Sequence, residues 1–330
     1  MPHVYSTQRT RRRSALRRPC DRCGEREAVV RIESLNESIC DECLSTRIWR
    51  RVKPILDEEI QTGDVIASAL SGGKDSSLTL YYLWKYKKES NKDFEVFAVT
   101  IDEGTCYRAE SISKAKELTS RLGVKHKIVK MSEIFAFSIP QVQVLLSKSK
   151  IKRDLCTYCG VFRRQALNIV AREKGATKVA TGHNLDDMVQ TLFMNLIRGD
   201  MSAMARLFSK SRSTEKLIPR IRPLAKVPEK EVTVQALLLG IPAHFGKCPL
   251  VSGMRVRVRR FLDRLEQENP GFKERAFNFI EKIVKQAIPE LTYHFELKYC
   301  KLCGEPTTQE LCKVCQFKQE LEAEVLSTTD

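Results

Sequence analysis

Short apolar runs alternate with longer segments that carry one apolar face along the middle of the chain. The apolar runs predict strands at 64–70, 94–102, 125–131 and 178–183, with a fifth at 241–245. The amphipathic segments predict helices at 77–87, 111–123, 159–174, 186–198 and 228–240. Such alternation is typical of a doubly wound α/β domain, in which helices cover both faces of a parallel sheet.

Three polar sequences fall where predicted strands end. They are SGGKDSS (71–77), TIDEG (100–104) and TGHNLDD (181–187). Because ligands of such sheets bind at the carboxyl ends of the strands, we expect a site where these three sequences meet.

The cysteines divide into two sets of four and a set of three, and Cys106 alone has no evident role. Sixteen residues separate two CxxC pairs near the N-terminus, which is zinc-ribbon spacing. A second double pair near the C-terminus has eight residues between its halves. Four thiolates complete a tetrahedron around one zinc ion, so each set predicts a structural zinc that replaces a small core. The ligands are Cys20, Cys23, Cys40 and Cys43 in the first set, and Cys300, Cys303, Cys312 and Cys315 in the second.

The charge balance points to a polyanionic partner. The chain of 330 residues has a formal net charge of +16 and a pI near 9.4, which makes nucleic acid the first candidate. Arginine-rich stretches at 9–18, 206–226 and 255–260 suit contacts with RNA phosphates, although each alone could be a solvated face. No apolar signal segment or membrane span is evident, so we expect a cytoplasmic protein without membrane attachment.

The composition also divides the chain. We predict a basic arm at 1–18, a zinc ribbon at 19–50, the α/β domain at 51–290 and a second zinc module at 291–330.

The sequence SGGKDSS resembles a Walker A loop but departs from it at two positions. Asp75 follows Lys74 where that motif needs Ser or Thr, and Ser68 stands where its first glycine belongs. Gly72 and Gly73 still allow backbone N–H groups to converge on an anion, and the next helix adds its positive end. The loop therefore predicts a pyrophosphate site, to which Lys74 contributes its charge and Ser71, Ser76 and Ser77 their hydroxyls.

In this strand–turn–helix context the loop resembles the PP-loop of N-type ATP pyrophosphatases, which cleave ATP between the α- and β-phosphates. CTYCGVFRRQAL (156–167), TGHNLDD and GKCP (246–249) follow in order between the two cysteine modules. This layout, from Pro19 to Gln316, resembles the tRNA 2-thiouridine synthetases of the TtuA and Ncs type, including the eukaryotic cytoplasmic tRNA 2-thiolation protein.

The resemblance implies a chemistry. ATP adenylates O2 of a uridine in tRNA, and a sulfur nucleophile then displaces AMP at C2. It implies a 4Fe-4S cluster on Cys156, Cys159 and Cys248, with one iron open to the incoming sulfur, and a role for Asp187 on the substrate. It further implies an ATP site that includes Asp75 with Mg²⁺, Asp102, Gly182, and Arg163 facing the phosphates. The arginine within CGVFRR favours the subgroup that modifies the wobble uridine over the one that modifies the T-loop.

The resemblance also implies partners. Sulfur would come from a ubiquitin-like carrier with a C-terminal thiocarboxylate or from free sulfide, and the enzyme would be a homodimer.

The residues alone leave other interpretations open. A CxxC pair and a distant cysteine could bind zinc with His183 or His244 as the fourth ligand, or could perform persulfide chemistry. A different PP-loop tRNA modifier, such as a 2-thiocytidine or lysidine synthetase, is the nearest rival enzyme. A zinc-ribbon RNA-binding protein with an inert α/β core is the non-enzymatic alternative.

Overall fold

The structure is a computed structural model that describes residues 18–149, 151–208, 216–246, 248–250, 253–287 and 298–327. Most of the predicted basic arm, residues 209–215 of the second arginine-rich stretch and Lys247 lie outside the described residues. No helix in these described ranges is long and apolar enough to cross a membrane.

The N-terminal cysteine module is a hairpin that leads directly into a long helix. Strands β1 (Val30–Ile32) and β2 (Glu37–Ile39) pair antiparallel, and α1 covers Asp41–Glu59. Cys40 caps α1, because its Sγ accepts the N–H of Cys43 at 3.4 Å. Helix α1 continues past the predicted domain boundary at residue 50, and its buried residues lie at intervals of four: Leu44, Ile48, Val52 and Leu56.

Five parallel strands form the central sheet. They are β3 (Val65–Ala69), β4 (Glu95–Asp102), β5 (His126–Lys130), β6 (Lys178–Ala180) and β7 (Arg220–Ile221), in the spatial order β5-β4-β3-β6-β7. Every neighbouring pair is parallel.

The connecting helices cover both faces of this sheet, which confirms the doubly wound prediction. Ile66 of β3 belongs to one core with α1 and α2, whereas its neighbour Ala67 faces the other core. The helices between and after the strands are α2 (Lys74–Glu89), α3 (Cys106–Leu122), α4 (Met131–Phe135), α5 (Ile139–Lys148), α6 (Leu155–Glu173), α7 (Leu185–Ile197), α8 (Met201–Phe208), α9 (Glu229–Leu238), α10 (Met254–Glu268) and α11 (Phe272–Ala287).

The C-terminal cysteine module packs against the second of these cores. It consists of β8 (Lys298–Tyr299), β9 (Pro306–Thr307) and α12 (Lys313–Ser327). Phe317 of α12 packs against Tyr158 of α6, with the rings tilted by 45° and their centroids 4.6 Å apart. The two cysteine modules therefore bury apolar surface on the domain, in addition to holding their own thiols together.

One predicted strand and the predicted start of one helix are wrong. The fifth strand is Arg220–Ile221, not 241–245. Pro242 has no N–H to donate to a strand ladder, and in this segment only His244 forms a bridge, with Gly73. Helix α6 begins at Leu155, four residues before the predicted start, with Asp154 as its N-cap. As a consequence, Cys156 and Cys159 both lie inside the helix, and Cys248 follows a loop after α9 and not a strand.

Candidate active site

The sheet reverses its winding direction between β3 and β6. The chain runs outwards from β3 through β4 to β5 and then returns to place β6 on the other side of β3. Connections leave the two central strands in opposite directions at such a point, which opens a crevice at their carboxyl ends. The glycine loop follows β3 and the TGHNLDD sequence follows β6, so the sheet brings these two motifs together.

The two motifs are in direct backbone contact. A Cβ added to Gly182 would lie 2.6 Å from the backbone N of Ser76, which leaves room for glycine alone. On the other side, Gly72 adopts a positive φ of 76°, and a Cβ there would overlap the carbonyl of Ser111. His244 donates its backbone N–H to Gly72 O at 2.8 Å. The loop is thus fixed by neighbours on three sides.

Hydroxyl groups close the loop upon itself. Ser76 Oγ accepts the N–H of Ser71 at 3.0 Å and donates to Gly73 O at 3.0 Å. The Ser71 hydroxyl lies 2.9 Å from Ser76 Oγ. Ser77 is completely buried one position further along α2. Its contribution to ATP binding stays a prediction, and this burial argues against a direct side-chain contact.

Charged groups line the mouth of the crevice. Lys74 Nζ lies 2.8 Å from Asp75 and 3.0 Å from Glu229, the first residue of α9. Burial disfavours the charge on Lys74, but the two carboxylates raise its pKa above the ordinary value. Asn184 donates to Asp75 at 2.9 Å, and it also forms a capping box with Asp187 at the start of α7.

The structure separates the two adjacent aspartates of TGHNLDD. Asp186 accepts the N–H of Glu229 at 2.7 Å and pairs with Lys273 at 2.6 Å, so it joins α7 to α9 and α11. Asp187 faces the crevice instead, where burial and the nearby Asp75 raise its pKa to about 6. The role of Asp187 on the substrate stays a prediction.

A buried carboxylate connects the loop with the central cysteines. Glu103, within TIDEG, lies 2.5 Å from Arg108 and 3.0 Å from Arg163. Arg108 also donates to Ser71 O in the glycine loop at 2.6 Å. The sequence interpretation singled out Asp102, whose carboxylate accepts the N–H of Gly104 at 2.9 Å, and it overlooked Glu103. The position of Glu103 directly after a buried strand was the available signal.

The three central cysteines approach one another from two segments. Cys156 and Cys159 lie in the first turns of α6, and Cys156 Sγ donates to Leu250 O at 3.2 Å, two residues beyond Cys248. Burial raises the pKa of Cys159 to about 11; the Arg163 guanidinium opposes this shift, whereas Glu103 and the other two thiols add to it. The Cys156–Leu250 contact brings the loop that carries Cys248 to the first turns of α6, the helix that also carries Arg163.

The central site differs from a closed zinc site. In each Cys₄ group the thiols all lie within 4.8 Å of one another, and in the described chain no such group includes Cys156, Cys159 or Cys248. His183 pairs with Thr181 at 2.9 Å, and His244 with Glu110 at 3.2 Å. A more open set of three thiols fits an iron–sulfur cluster, which is larger than a single ion and is held by thiolates.

The two outer groups fit zinc closely. Cys23 and Cys40 sulfurs lie 3.8 Å apart, and Cys303 and Cys312 sulfurs 3.5 Å apart. A tetrahedral site with Zn–S bonds of about 2.3 Å requires sulfurs close to that separation. The same backbone arrangement recurs, because Cys40 N donates to Cys20 Sγ at 3.2 Å and Cys312 N to Cys300 Sγ at 3.3 Å.

Comparisons with known proteins identify the family of the chain. Residues 44–240, more than half of the chain, match the family model described as the PP-loop domain. The tRNA 2-thiolation protein NcsA of Haloferax volcanii is 32% identical over 92% of this chain and 99% of its own length. The cytoplasmic tRNA 2-thiolation protein 1 of Chlamydomonas reinhardtii is 30% identical over 92% of this chain and 85% of its own.

A solved structure shows the same fold. The U34-tRNA thiolase NcsA of Methanococcus maripaludis, determined with its [4Fe-4S] cluster, superposes with a TM-score of 0.76 at 30% identity and covers 92% of this chain and 96% of its own. Together with the family match, these similarities show that the chain belongs to the PP-loop family and, within it, to the tRNA 2-thiolation proteins.

Proposed function

We propose that this protein is an ATP-dependent tRNA sulfurtransferase that converts a uridine, in the first instance the wobble uridine, into 2-thiouridine. The relatives named above are tRNA 2-thiolation proteins, and one of them is a U34-tRNA thiolase. The observation that carries the proposal is the ion-pair connection through Glu103. It links the backbone of the phosphate loop, through Arg108, with Arg163 beside the three cysteines.

The glycine loop serves the activation step. Uridine O2 attacks the α-phosphorus of ATP, and the bond to the β-phosphate oxygen breaks, so that pyrophosphate leaves. Backbone N–H groups, the positive end of α2 and Lys74 hold this leaving group. Asp75 would hold Mg²⁺, which neutralises the phosphate charge. Asp187, across the crevice, lies where it can position the substrate or accept a proton.

The central cysteines serve the second step. Sulfur adds at C2, and the C2–O2 bond breaks to release AMP, which carries the former uridine oxygen. Cys156, Cys159 and Cys248 would hold a 4Fe-4S cluster whose remaining iron supplies an open position for sulfide. Arg163 lies between Glu103 and these thiols, where its charge offsets that of the thiolates and of the departing AMP.

The proposal is tested by reconstituting the activity without oxygen. The protein is loaded with iron and sulfide and mixed with ATP, unmodified tRNA, and either free sulfide or a thiocarboxylate carrier. Mass spectrometry of nuclease fragments then locates the modified nucleoside. We expect 2-thiouridine at the wobble position; thiolation of the T-loop uridine or of a cytidine would favour the corresponding alternative, and no thiolated nucleoside with any sulfur source would refute the proposal.

Further expectations accompany this function. We propose one zinc ion in each Cys₄ group, two per chain, which metal analysis can check. We also propose a homodimer, which light scattering can check. A cytoplasmic location follows the naming of the eukaryotic relatives.

A further inference from the structure

Four arginines from three elements lie beside the crevice. They are Arg164 on α6, Arg220 on β7, Arg222 just after it, and Arg255 on α10, and together with His183 they are called the arginine cleft. In the described residues none of the four forms a salt bridge with Asp or Glu. By contrast, three other arginines of the domain pair with buried or half-buried carboxylates: Arg47 with Glu231, Arg108 with Glu103 and Arg172 with Glu305.

The contacts of the four side chains fix their position but leave their charge unopposed. Arg220 donates to the backbone O of Arg164 at 3.2 Å, and Arg255 donates to the neutral side chain of Gln190 at 2.9 Å. Gln190 in turn donates to Arg255 O at 2.7 Å. Arg222 interacts electrostatically with the carboxylate of Glu59, but the two side chains are too far apart for a salt bridge.

The charges are close enough to affect one another. Burial and the nearby Arg164 and Arg222 lower the pKa of Arg220 to about 10. Burial and the surrounding arginines, Arg222 first, lower the pKa of His183 to about 3, so this ring is neutral. His183 is nevertheless exposed to solvent, as Arg164 and Arg255 are.

An open cleft with several unpaired guanidinium groups is built for an anion. Holding like charges together in partly dehydrated surroundings costs free energy, and a bound anion offsets that cost. Guanidinium groups match phosphate oxygens with two parallel hydrogen bonds. Arg164 and Arg255 are exposed and Arg220 and Arg222 partly so, which leaves all four accessible to a ligand.

The arrangement favours a polynucleotide over the phosphates of ATP. The glycine loop already provides ATP with N–H donors, a helix terminus and Lys74. The arginine cleft uses other elements, on the β7 side of the sheet, and distributes its charge over α6, β7 and α10. This spread matches successive phosphates along a chain better than one triphosphate.

We propose that the arginine cleft binds the RNA backbone phosphates that flank the uridine entering the crevice. The inference rests on the proposed function, since it identifies where that substrate is held. It also separates a specific role from the general positive charge of the protein, because it assigns the contact to four residues around His183.

The test measures RNA and ATP binding in the same four single variants, Arg164→Met, Arg220→Met, Arg222→Met and Arg255→Met. The matched control is Arg121→Met, in the last turn of α3 at the opposite edge of the sheet. Binding of unmodified tRNA to the reconstituted protein is titrated at several salt concentrations. We expect each cleft variant to weaken tRNA binding about three- to tenfold and to reduce the slope of log K against log salt by about 0.7 per lost phosphate contact.

Several outcomes would overturn the inference. The first is that the cleft variants bind tRNA with the affinity and salt slope of wild type. The second is that they weaken ATP binding but leave tRNA binding intact. The third is that Arg121→Met weakens tRNA binding as much as the cleft variants do. Unchanged thermal unfolding of each variant, and recovery of the salt slope in Arg220→Lys, would show that the effect is one of charge. If the wild-type protein thiolates tRNA but the cleft variants bind tRNA as tightly as wild type, only this inference fails. If the cleft variants bind tRNA more weakly than wild type, as expected, but the wild-type protein never thiolates tRNA, only the proposed function fails.

Discussion

The Cys₄ groups and the central three-cysteine site use the same CxxC spacing for different purposes. In the Cys₄ groups the thiols lie within 4.8 Å of one another and their backbone turns are built into the apolar cores. In the central site, one pair lies on a helix and the third thiol comes from a distant loop beside Arg163. A closed set of four ligands supports folding, whereas an open set of three leaves a position for chemistry.

The largest effect is expected from removing a central thiol. Cys159→Ala should reduce thiolation to background and abolish the absorbance of the cluster, because the remaining two thiols cannot hold it. The melting temperature of the apo-protein should change by only about 3 °C, since the lost side chain is small and half-buried. Cys106→Ala is the control and should keep both activity and cluster. Full activity of Cys248→Ala would contradict the three-ligand assignment.

A comparable substitution in a Cys₄ group should act mainly on stability. Cys40 is fully buried, caps α1 and accepts an N–H bond through its sulfur. We expect Cys40→Ala to lose one zinc per chain and to lower the melting temperature by roughly 10 °C, given about 2–4 °C per kcal/mol in a chain of this size. Unfolding monitored by circular dichroism, together with zinc analysis, checks this. An unchanged zinc content and melting temperature would remove the distinction between the two kinds of site.

The backbone contact between the two crevice motifs provides a third test. In Gly182→Ala the new methyl group would lie 2.6 Å from Ser76 N, so the start of α2 must shift. Overpacking of this kind costs about 1–3 kcal/mol, and we expect ATP affinity to fall by about tenfold. Calorimetric titration with a non-hydrolysable ATP analogue measures it, and the iron content should stay at the wild-type level. Wild-type ATP affinity in a folded variant would show that the loop does not depend on this contact.

The smallest effect concerns the pH dependence of stability near Asp187. Its pKa is raised to about 6 in the folded protein, against about 4 in an unfolded chain. Protonation therefore favours the folded state, and wild type should lose stability relative to Asp187→Asn as the pH rises from 4 through 6. The difference should reach about 1–2 kcal/mol in the absence of nucleotide and Mg²⁺. Denaturant unfolding of both proteins at pH 4.5 and pH 7.5 checks this, and a difference of opposite sign would contradict it.

Local sequence patterns were sufficient to predict most of the fold. Segments rich in apolar residues marked β3 and β4, the short segment 125–131 marked β5, and glycine marked the end of α3 at Gly123. Strand β7 escaped detection because two residues carry no periodicity and lie within an arginine-rich stretch. The segment 241–245 looked like a strand because it is rich in apolar residues, but it forms only one bridge to the glycine loop, between His244 and Gly73, and Phe245 is exposed.

The site was predictable where spacing alone defines geometry. The Cys₄ groups and the glycine loop are local, so their residues could be read from short motifs. The pairing of Glu103 with Arg108 and Arg163 was not predicted. The arginine-rich stretches at 206–226 and 255–260 were visible in the sequence, but only a long-range contact such as that between Arg220 and Arg164 shows which of their arginines join α6. Asp186 and Asp187 are adjacent in sequence, and only the packing of α7 against α9 and α11 distinguishes them.

The central claim is that one crevice activates a uridine oxygen with ATP and then replaces it by sulfur. The most direct measurement uses tRNA labelled with ¹⁸O at uridine O2, with AMP analysed by mass spectrometry after thiolation by the reconstituted enzyme. The account predicts that AMP gains one ¹⁸O atom for each 2-thiouridine formed. Unlabelled AMP accompanying the formation of 2-thiouridine would contradict it.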